Sequence, residues 1–552
     1  MLTMNIKTYF TELFPYDLKA GFITAVVALP LAIAFAIASG VPPIMGMYTA
    51  IIAGILASLF GGSIYSITGP TGAMTVIILS TLNKLGLEGL MLAGFMAGVF
   101  QLFFSLVRLG RFVKFIPLPI VSGFTAGIGA IIFIGQIGNS LGLVIPSEEH
   151  VWSTFIDLFK ALSSVNIIAV AITLLTVLSL VFLPKYLGRV KFLKNVPASL
   201  IPLLLSTLAV FLFDLTIPQV GVIPRGLPEF HLININFDLL QRVLPAAFTI
   251  ALLGSIEALL CAVVCDGMTN TRHKSDKELR GQGISNMVLP FFGGIACTAA
   301  IARSAVNIRE GARTKYAAII HSLFLLLILL FLAPLAQYIP KAFLAGILMV
   351  VSFRMINIHE FKTIMKISHS ETIVLFVTFG LTIFTDLVFA VQMGMVFAIF
   401  LLFIKLTRII DITNMADYQR HEGLNAFVYR NEKLKDIVSI YSINGPFFFG
   451  AMNVFDKKVN EHMDSYKPIT ILRMKYTPFI DSTAVVRLND FISERRKRKI
   501  IVILADLTPT VQETLGRNKE FNHLIDKKFI FKTTKEALSY VEKNTHHLLL
   551  EK

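Results

Sequence analysis

The chain has 552 residues, of which 55% are hydrophobic and only 15% charged, with a mean hydropathy of +0.72. Soluble domains carry about 25% charged residues, so an ordinary water-soluble protein is excluded. Fifty Lys and Arg against 35 Asp and Glu give a net charge of +15, which suits either a nucleic-acid partner or the basic loops of a membrane protein. The hydropathy favours the membrane, and no nucleic-acid partner is expected.

Residues 1–18 read as a cytoplasmic segment without a cleavable signal, in which Tyr9, Phe10, Phe14 and Tyr16 alternate with charges as in an interfacial helix. Between Lys19 and Lys84 there is an uncharged run of 64 residues. One crossing needs only about 20 apolar residues, so this run crosses more than once. Gly21 to Ser39 is the first crossing. Further charge-poor stretches cover Phe115–Ser147, Val196–Phe213, Val243–Ile256, Gly281–Ala302, Tyr316–Pro340, Thr372–Thr385 and Leu387–Ile404, giving about fourteen segments, two of them too short to span. Cys261, Cys265 and Cys297 lie in apolar stretches and read as small core residues, not disulfides or zinc ligands. No cofactor or metal is implied.

With the N-terminus inside, loops 108–114, 184–195, 266–282, 309–315 and 354–370 fall inside and hold 17 Lys and Arg, while the outside connections hold four. Glu148 and Glu149 fall outside. This asymmetry satisfies the positive-inside rule and places both termini in the cytoplasm. The expected organisation is a transmembrane transport domain over 19–410, a linker over 411–434 and a soluble α/β domain over 435–545. Strands are expected at Ile437–Ile443, Ile469–Met474 and Ile500–Leu504, and helices at Met452–Met463, Ser482–Arg495 and Thr510–Leu515. The basic run Arg495 to Lys499 reads as a solvated helix end.

An internal repeat carries the functional reading. Phe60-Gly61-Gly62 precedes Gly69-Pro70-Thr71-Gly72-Ala73, and 232 residues later Phe292-Gly293-Gly294 precedes Ile301-Ala302-Arg303-Ser304-Ala305. Seven segments precede the second copy, an odd number, so the halves are inverted in the membrane. Inverted repeats with interrupted helices are a transporter architecture, with the site where the broken helices meet. Extended stretches Ser63–Thr68 and Ile295–Ala299 lead to two half-helix N-termini. Each presents roughly half a positive charge and unpaired N–H groups to an anion.

Arg303 occupies, counted from Gly294, the position of Thr71 counted from Gly62. An arginine at bilayer depth needs a water-filled cavity or a partner. It either adds positive charge to an anion site, with Thr71 and Ser304 adding hydroxyl hydrogen bonds, or forms a structural ion pair. Glu257, in the apolar Leu244–Cys265 segment, is a candidate proton carrier or a permanent partner for Arg303. Protonation of a buried carboxylate beside an anion is the physical basis for symport. Sodium wants hard oxygens, whereas Cys261 stands one turn on. Phe35 either walls the site or packs in the core. No metalloprotease, phosphate-loop, nucleophile-elbow or dinucleotide motif stands in context, so an enzyme is not expected.

Gly40-Val41-Pro42-Pro43, Ile67 to Gly72, Gly254 to Leu260, Gly281 to Asn286 and Ala302-Arg303-Ser304 together resemble the SulP (sulfate permease) anion transporters, over residues 15–545. Ile256–Ala318 looks closest to the family's bacterial proton-coupled C4-dicarboxylate transporters. The resemblance implies a polytopic α-helical membrane protein of 7+7 inverted-repeat fold with core and gate subdomains, an elevator-like motion, a homodimer in the inner membrane and contact with membrane lipid. Its anion site maps to Phe35, Thr71, Gly72, Ala73, Ala302, Arg303 and Ser304. The family's frequent Gln is Leu31 here, and Ser of some members is Ala302. Sodium-bicarbonate members resemble Asp with a hydroxyl one turn on, where this chain has Glu257 and Cys261. The soluble end resembles a STAS domain. Ile480 to Ala484 matches the stretch that carries a phosphorylatable serine, so Ser482 is a regulatory candidate and Asp481 an N-cap, with a cytoplasmic regulatory protein as partner.

The expected function is proton-coupled symport of a C4-dicarboxylate or of sulfate or bicarbonate. Alternatives are an anion exchanger or channel, a sodium-coupled bicarbonate transporter, or a membrane-tethered signalling module.

Overall fold

The computed structural model describes residues 9–111, 117–143, 151–187, 196–224, 226–233, 236–385, 387–407, 409–414, 432–462 and 467–550. Glu148, Glu149, most of the linker and the first eight residues lie outside them. The chain divides into two compact units, Met1–Ala398 and Ile399–Lys552.

The long uncharged run folds as α1 (Phe14–Ala38), α2 (Pro43–Phe60) and the start of α3 (Gly72–Leu106). α1 stops where Gly40 adopts φ +75°, and the Val41 N–H donates back to the Ala36 carbonyl at 3.1 Å, a glycine-terminated cap. Pro42 and Pro43 then open α2, where the absent N–H is not needed. Within α3, Gly86 takes φ 68° and ψ −175°, dividing it into a half-helix and a second span. α4 (Leu118–Gly135), α5 (Ile167–Leu187) and α6 (Leu200–Phe213) complete the first half. The second half holds α7 (Phe237–Thr269), α8 (Ser275–Val288), α9 (Ile301–Arg309), α10 (Tyr316–Ala336), α11 (Lys341–Met355), α12 (Ile358–Ile367), α13 (His369–Phe384) and α14 (Leu387–Thr407). With α3 counted twice and α12 and α13 as one segment, each half supplies seven. Eight described helices are long and apolar enough to cross a membrane.

The halves interlock as two bundles. α1, α2 and α3 pack with α7, α8, α9 and α10, while α4 and α5 pack with α11 and α13. Small residues allow the close approaches: a Cβ on Gly98 would lie 2.5 Å from the Met287 nitrogen, and one on Gly281 would lie 2.6 Å from Gly61 Cα. Asp17, fully buried, ties the start of α1 to the loop before α10 by accepting from the Arg313 and Thr314 N–H groups at 2.7 and 3.0 Å.

In the second unit, β3 (Asp411–Asn414), β4 (Val438–Asn444), β5 (Ile469–Tyr476), β6 (Ile501–Ala505) and β7 (Ile530–Phe531) form one sheet in that order, parallel except for β3. Helices α15 (Met452–His462), α16 (Ser482–Lys497), α17 (Pro509–Gly516) and α18 (Thr534–Leu550) accompany it. The expected strands and helices stand within a few residues of their places. Asp411–Asn414, expected in the linker, instead pairs antiparallel with β4.

Candidate functional site

The extended stretches of the two repeats cross. β1 (Thr68–Gly69) pairs antiparallel with β2 (Thr298–Ala299), Thr68 opposite Ala299 and Gly69 opposite Thr298. α3 and α9 begin just after β1 and β2, so both N-termini stand at this crossing. Backbone outside a helix is tolerated inside a membrane protein only if its polar groups are paired. Side chains from both halves do this. Asn286 accepts from Cys297 N at 2.8 Å and donates to Cys297 O at 3.0 Å and to Gln101 Oε1 at 2.9 Å. Gln282 donates to Thr68 Oγ1 at 3.0 Å, and Thr49 Oγ1 accepts from Ile295 N at 2.8 Å. Glu278, buried on α8, accepts from Gly62 N and Ser63 N at 2.9 and 2.8 Å and so fixes the entry to the first stretch.

At the crossing, Thr71 is the N-cap of α3, and its hydroxyl donates to Glu257 Oε2 at 2.9 Å. A carboxylate beside a helix N-terminus is electrostatically favoured. Phe35 is buried and lies 3.4 Å, at Cε1, from the place a Cβ on Gly72 would take. A cavity of about 90 Å³ opens here, lined among others by Ala73, Phe124, Thr125, Glu257, Ile301 and Met395. Helices α3, α4, α7, α9 and α14 all contribute to its lining.

Arg303, only 1% exposed, sits on the first turn of α9 and reaches back across the crossing, donating through Nη2 to the Pro70 carbonyl. Nη1 has no hydrogen-bond partner. A buried donor on a charged group is costly to leave unmet, and Glu257 does not meet it: its bond goes to Thr71, not to Arg303. Gly69 permits the approach, since a Cβ there would lie 2.7 Å from Nη1.

Three expectations change. Arg303 does not occupy the place of Thr71, because nine residues separate Gly62 from the cap Thr71 and six separate Gly294 from the cap Ala300. Arg303 therefore stands one helical turn further in. The Ser304 hydroxyl accepts from Ile67 N and donates to the Ala300 carbonyl, both at 2.8 Å, so it joins the repeats rather than facing the site. Ala302 is exposed on the first turn of α9, where Ile301 lines the cavity. Phe35, Thr71, Gly72, Ala73 and Glu257 are brought together. Phe124 and Thr125 escaped the sequence reading because no repeat or charge marks them, and Ile301, although it opens the second repeat motif, was passed over as an apolar residue beside Arg303. Ser482 belongs to the other unit, exposed at the start of α16, where the Asp481 carboxylate accepts from Ala484 N at 2.8 Å and from Phe449 N at 3.0 Å.

Two interlocked inverted halves, with two half-helix N-termini and a buried arginine at their crossing, define the class as a helical membrane transporter for anions. Residues 14–378 match the sulfate permease family and residues 429–537 the STAS domain, and the chain belongs to that family. It is 39% identical over 534 residues to a putative sulfate transporter, YvdB, of Bacillus subtilis, covering 96% of this chain and 98% of that one. The bicarbonate transporter BicA of Picosynechococcus is 31% identical, with 92% and 91% covered. Among solved structures, murine Slc26a9 in the inward-facing state superposes with a TM-score of 0.87 at 19% identity, covering 99% and 93%, a likeness of fold. The transmembrane domain of a cyanobacterial BicA gives 0.63 at 34% identity, covering 72% of this chain and 98% of that domain. These relatives are transporters, not enzymes.

Proposed function

We propose that the chain is a secondary active transporter that carries a small oxyanion, bicarbonate or sulfate, together with a proton held on Glu257. The observation that carries this is the crossing itself: two half-helix N-termini, the unmet Nη1 donor of Arg303 and a carboxylate bonded to Thr71. The helix ends and guanidinium together offer roughly two positive charges to an anion. Protonated Glu257 adds no negative charge beside it, so anion and proton bind together and leave together. The cavity of about 90 Å³ is small against the ~300–1,000 Å³ of pockets for drug-sized ligands. It supports an ion of a few heavy atoms over a C4-dicarboxylate, and the relatives' names agree with that order. Movement of the core bundle against the gate bundle provides alternating access in this reading. The protein works as a homodimer in the inner membrane with both termini cytoplasmic. Its STAS domain meets a regulatory protein there, with the Ser482 hydroxyl open to modification.

Proteoliposomes test it. Uptake of labelled bicarbonate or sulfate is expected to accelerate under an inward proton gradient, to persist when sodium is replaced by potassium, and to exceed succinate uptake. Glu257→Gln is expected to remove the gradient dependence. Uptake by Glu257→Gln that stays equally gradient-sensitive would sink the coupling assignment, sodium dependence would move it to sodium, and faster succinate uptake would restore the dicarboxylate.

A further inference from the structure

Two of the four basic residues in the outside connections, Lys84 and Arg242, line one cavity of about 370 Å³, with Ser80, Thr81, Phe389 and Gln392. Three helices, α3, α7 and α14, contribute to the lining of both this cavity and the one at the crossing. On α3, Ala73 lines the inner cavity, and Ile77, Ser80, Thr81 and Lys84 line the outer one. Those positions fall at i, i+4, i+7, i+8 and i+11, a single helix face. On α7 the outer residues Arg242 and Ala246 share a face with the inner residues Leu253 and Glu257. At 1.5 Å per residue, Lys84 stands about 16 Å along α3 from Ala73, and Arg242 about 22 Å along α7 from Glu257. Half a hydrocarbon core is about 15 Å. The two faces thus run from the crossing to one membrane surface.

Among the described lining residues of the two cavities, Glu257 is the only carboxylate. Two further acids among the described residues stand nearby and are exposed. Asp238 pairs with Arg242 from one turn earlier, with side chains 69% and 63% exposed, and exposed Glu88 lies beyond Lys84 on the far side of the break at Gly86. An exposed pair of that kind is weak, and an incoming anion can exchange with it.

We propose that the outer cavity is a second anion site, in which Lys84 and Arg242 capture a small oxyanion and pass it down the α3 and α7 faces to the half-helices. The proposal rests on the transport reading above. Cations at a mouth with low-dielectric walls concentrate anions and speed their entry. Serine, threonine and glutamine on the walls supply hydrogen bonds on the way.

Two experiments on the full chain in proteoliposomes decide it. In bicarbonate or sulfate uptake, the Lys84→Gln/Arg242→Gln double variant is expected to raise KM roughly threefold or more with kcat unchanged, and to flatten the dependence on ionic strength. Lys84→Arg is expected to retain wild-type KM. An unchanged KM in the double variant overturns the proposal. The second experiment needs no transport. In Lys84→Cys, whose three other cysteines are buried, an anionic methanethiosulfonate reagent is expected to react faster than a cationic one. Arg242→Gln should erase that preference. A preference that ignores Arg242, or none at all, removes the capture site. A preference that stands while the wild-type protein moves no anion refutes the transport reading instead.

Discussion

Gly69→Ala isolates the positioning of Arg303 with a single methyl group. The backbone at Gly69 lies in β1, and its φ is not in the left-handed region, so alanine fits the local conformation. The added carbon, however, would lie 2.7 Å from Arg303 Nη1 and 3.4 Å from both Arg303 Cζ and Ala50 Cα. Ala50 is backbone within a packed helix, so the guanidinium has to move. The atom displaced is the donor that has no protein partner. A hydrogen bond to a charged group contributes about 1.5–3 kcal/mol, and each 1.4 kcal/mol is about tenfold in affinity. Gly69→Ala is therefore expected to raise KM for the transported anion by about ten- to a hundredfold. Gly380→Ala, a helical position where a Cβ meets nothing within 4 Å, serves as the control. Uptake kinetics in proteoliposomes with Arg303→Ala and the double variant close the cycle. If both substitutions act through the same donor, the double variant is no worse than Arg303→Ala. Wild-type KM in Gly69→Ala, or additive losses in the double variant, would refute the reasoning.

Asn286→Leu leaves Cys297 N, Cys297 O and Gln101 Oε1 without a shared partner, a loss of about 3–9 kcal/mol at 1–3 kcal/mol per buried group. A thiol-reactive dye that reports exposure of buried Cys297 during heating is expected to show a lower transition, and an unchanged one would count against the pairing. Asp17→Leu removes the acceptor for the Arg313 and Thr314 N–H groups. Proteolysis near residue 313 is expected to speed up severalfold, whereas equal cleavage rates would place the strength of that joint elsewhere. Asp481→Ala deletes the cap of α16, costing the protein about 1–2 kcal/mol. Hydrogen exchange at Ala484 and Phe449, whose N–H groups it holds, should rise together, and exchange at Ala484 alone would break the proposed link.

The charge gaps made the membrane segments legible, since a 64-residue uncharged run has no soluble alternative. The Gly-Gly pairs exposed the inverted halves because each has a local need for glycine: a Cβ on Gly62 would lie 2.1 Å from the Lys274 carbonyl oxygen, and Gly293 takes φ +66°. What pattern could not reveal was register at the crossing. Where α9 begins depends on where Thr298 and Ala299 find their partners in the other half, and that contact is invisible in local spacing. Gln282 and Asn286 stood out within a motif, but their bonds reach Thr68, 214 residues away, and Gln101, 185 away. Ser304 misled for the opposite reason. A hydroxyl beside a charged residue looks like a ligand contact, yet Ile67 N had already claimed it. In the soluble unit, β3 was missed because its reason for being a strand is β4, beyond the intervening segment.

The β1–β2 crossing also sets an order of events during synthesis. Thr68 and Gly69 pair with Ala299 and Thr298, and Ile67 offers its carbonyl to Ala300 N at 2.9 Å and its N–H to Ser304. None of those partners exists when the first half leaves the ribosome. At about 5–20 residues per second, some 230 residues separate the two strands by on the order of ten to fifty seconds. For that interval the first half carries unpaired backbone in its interior, held by water, by the insertion machinery or by a provisional fold. The crossing, where the anion is proposed to bind, is accordingly among the last parts of the membrane unit to form, and a chain truncated before residue 298 contains every helix of the first half but no crossing.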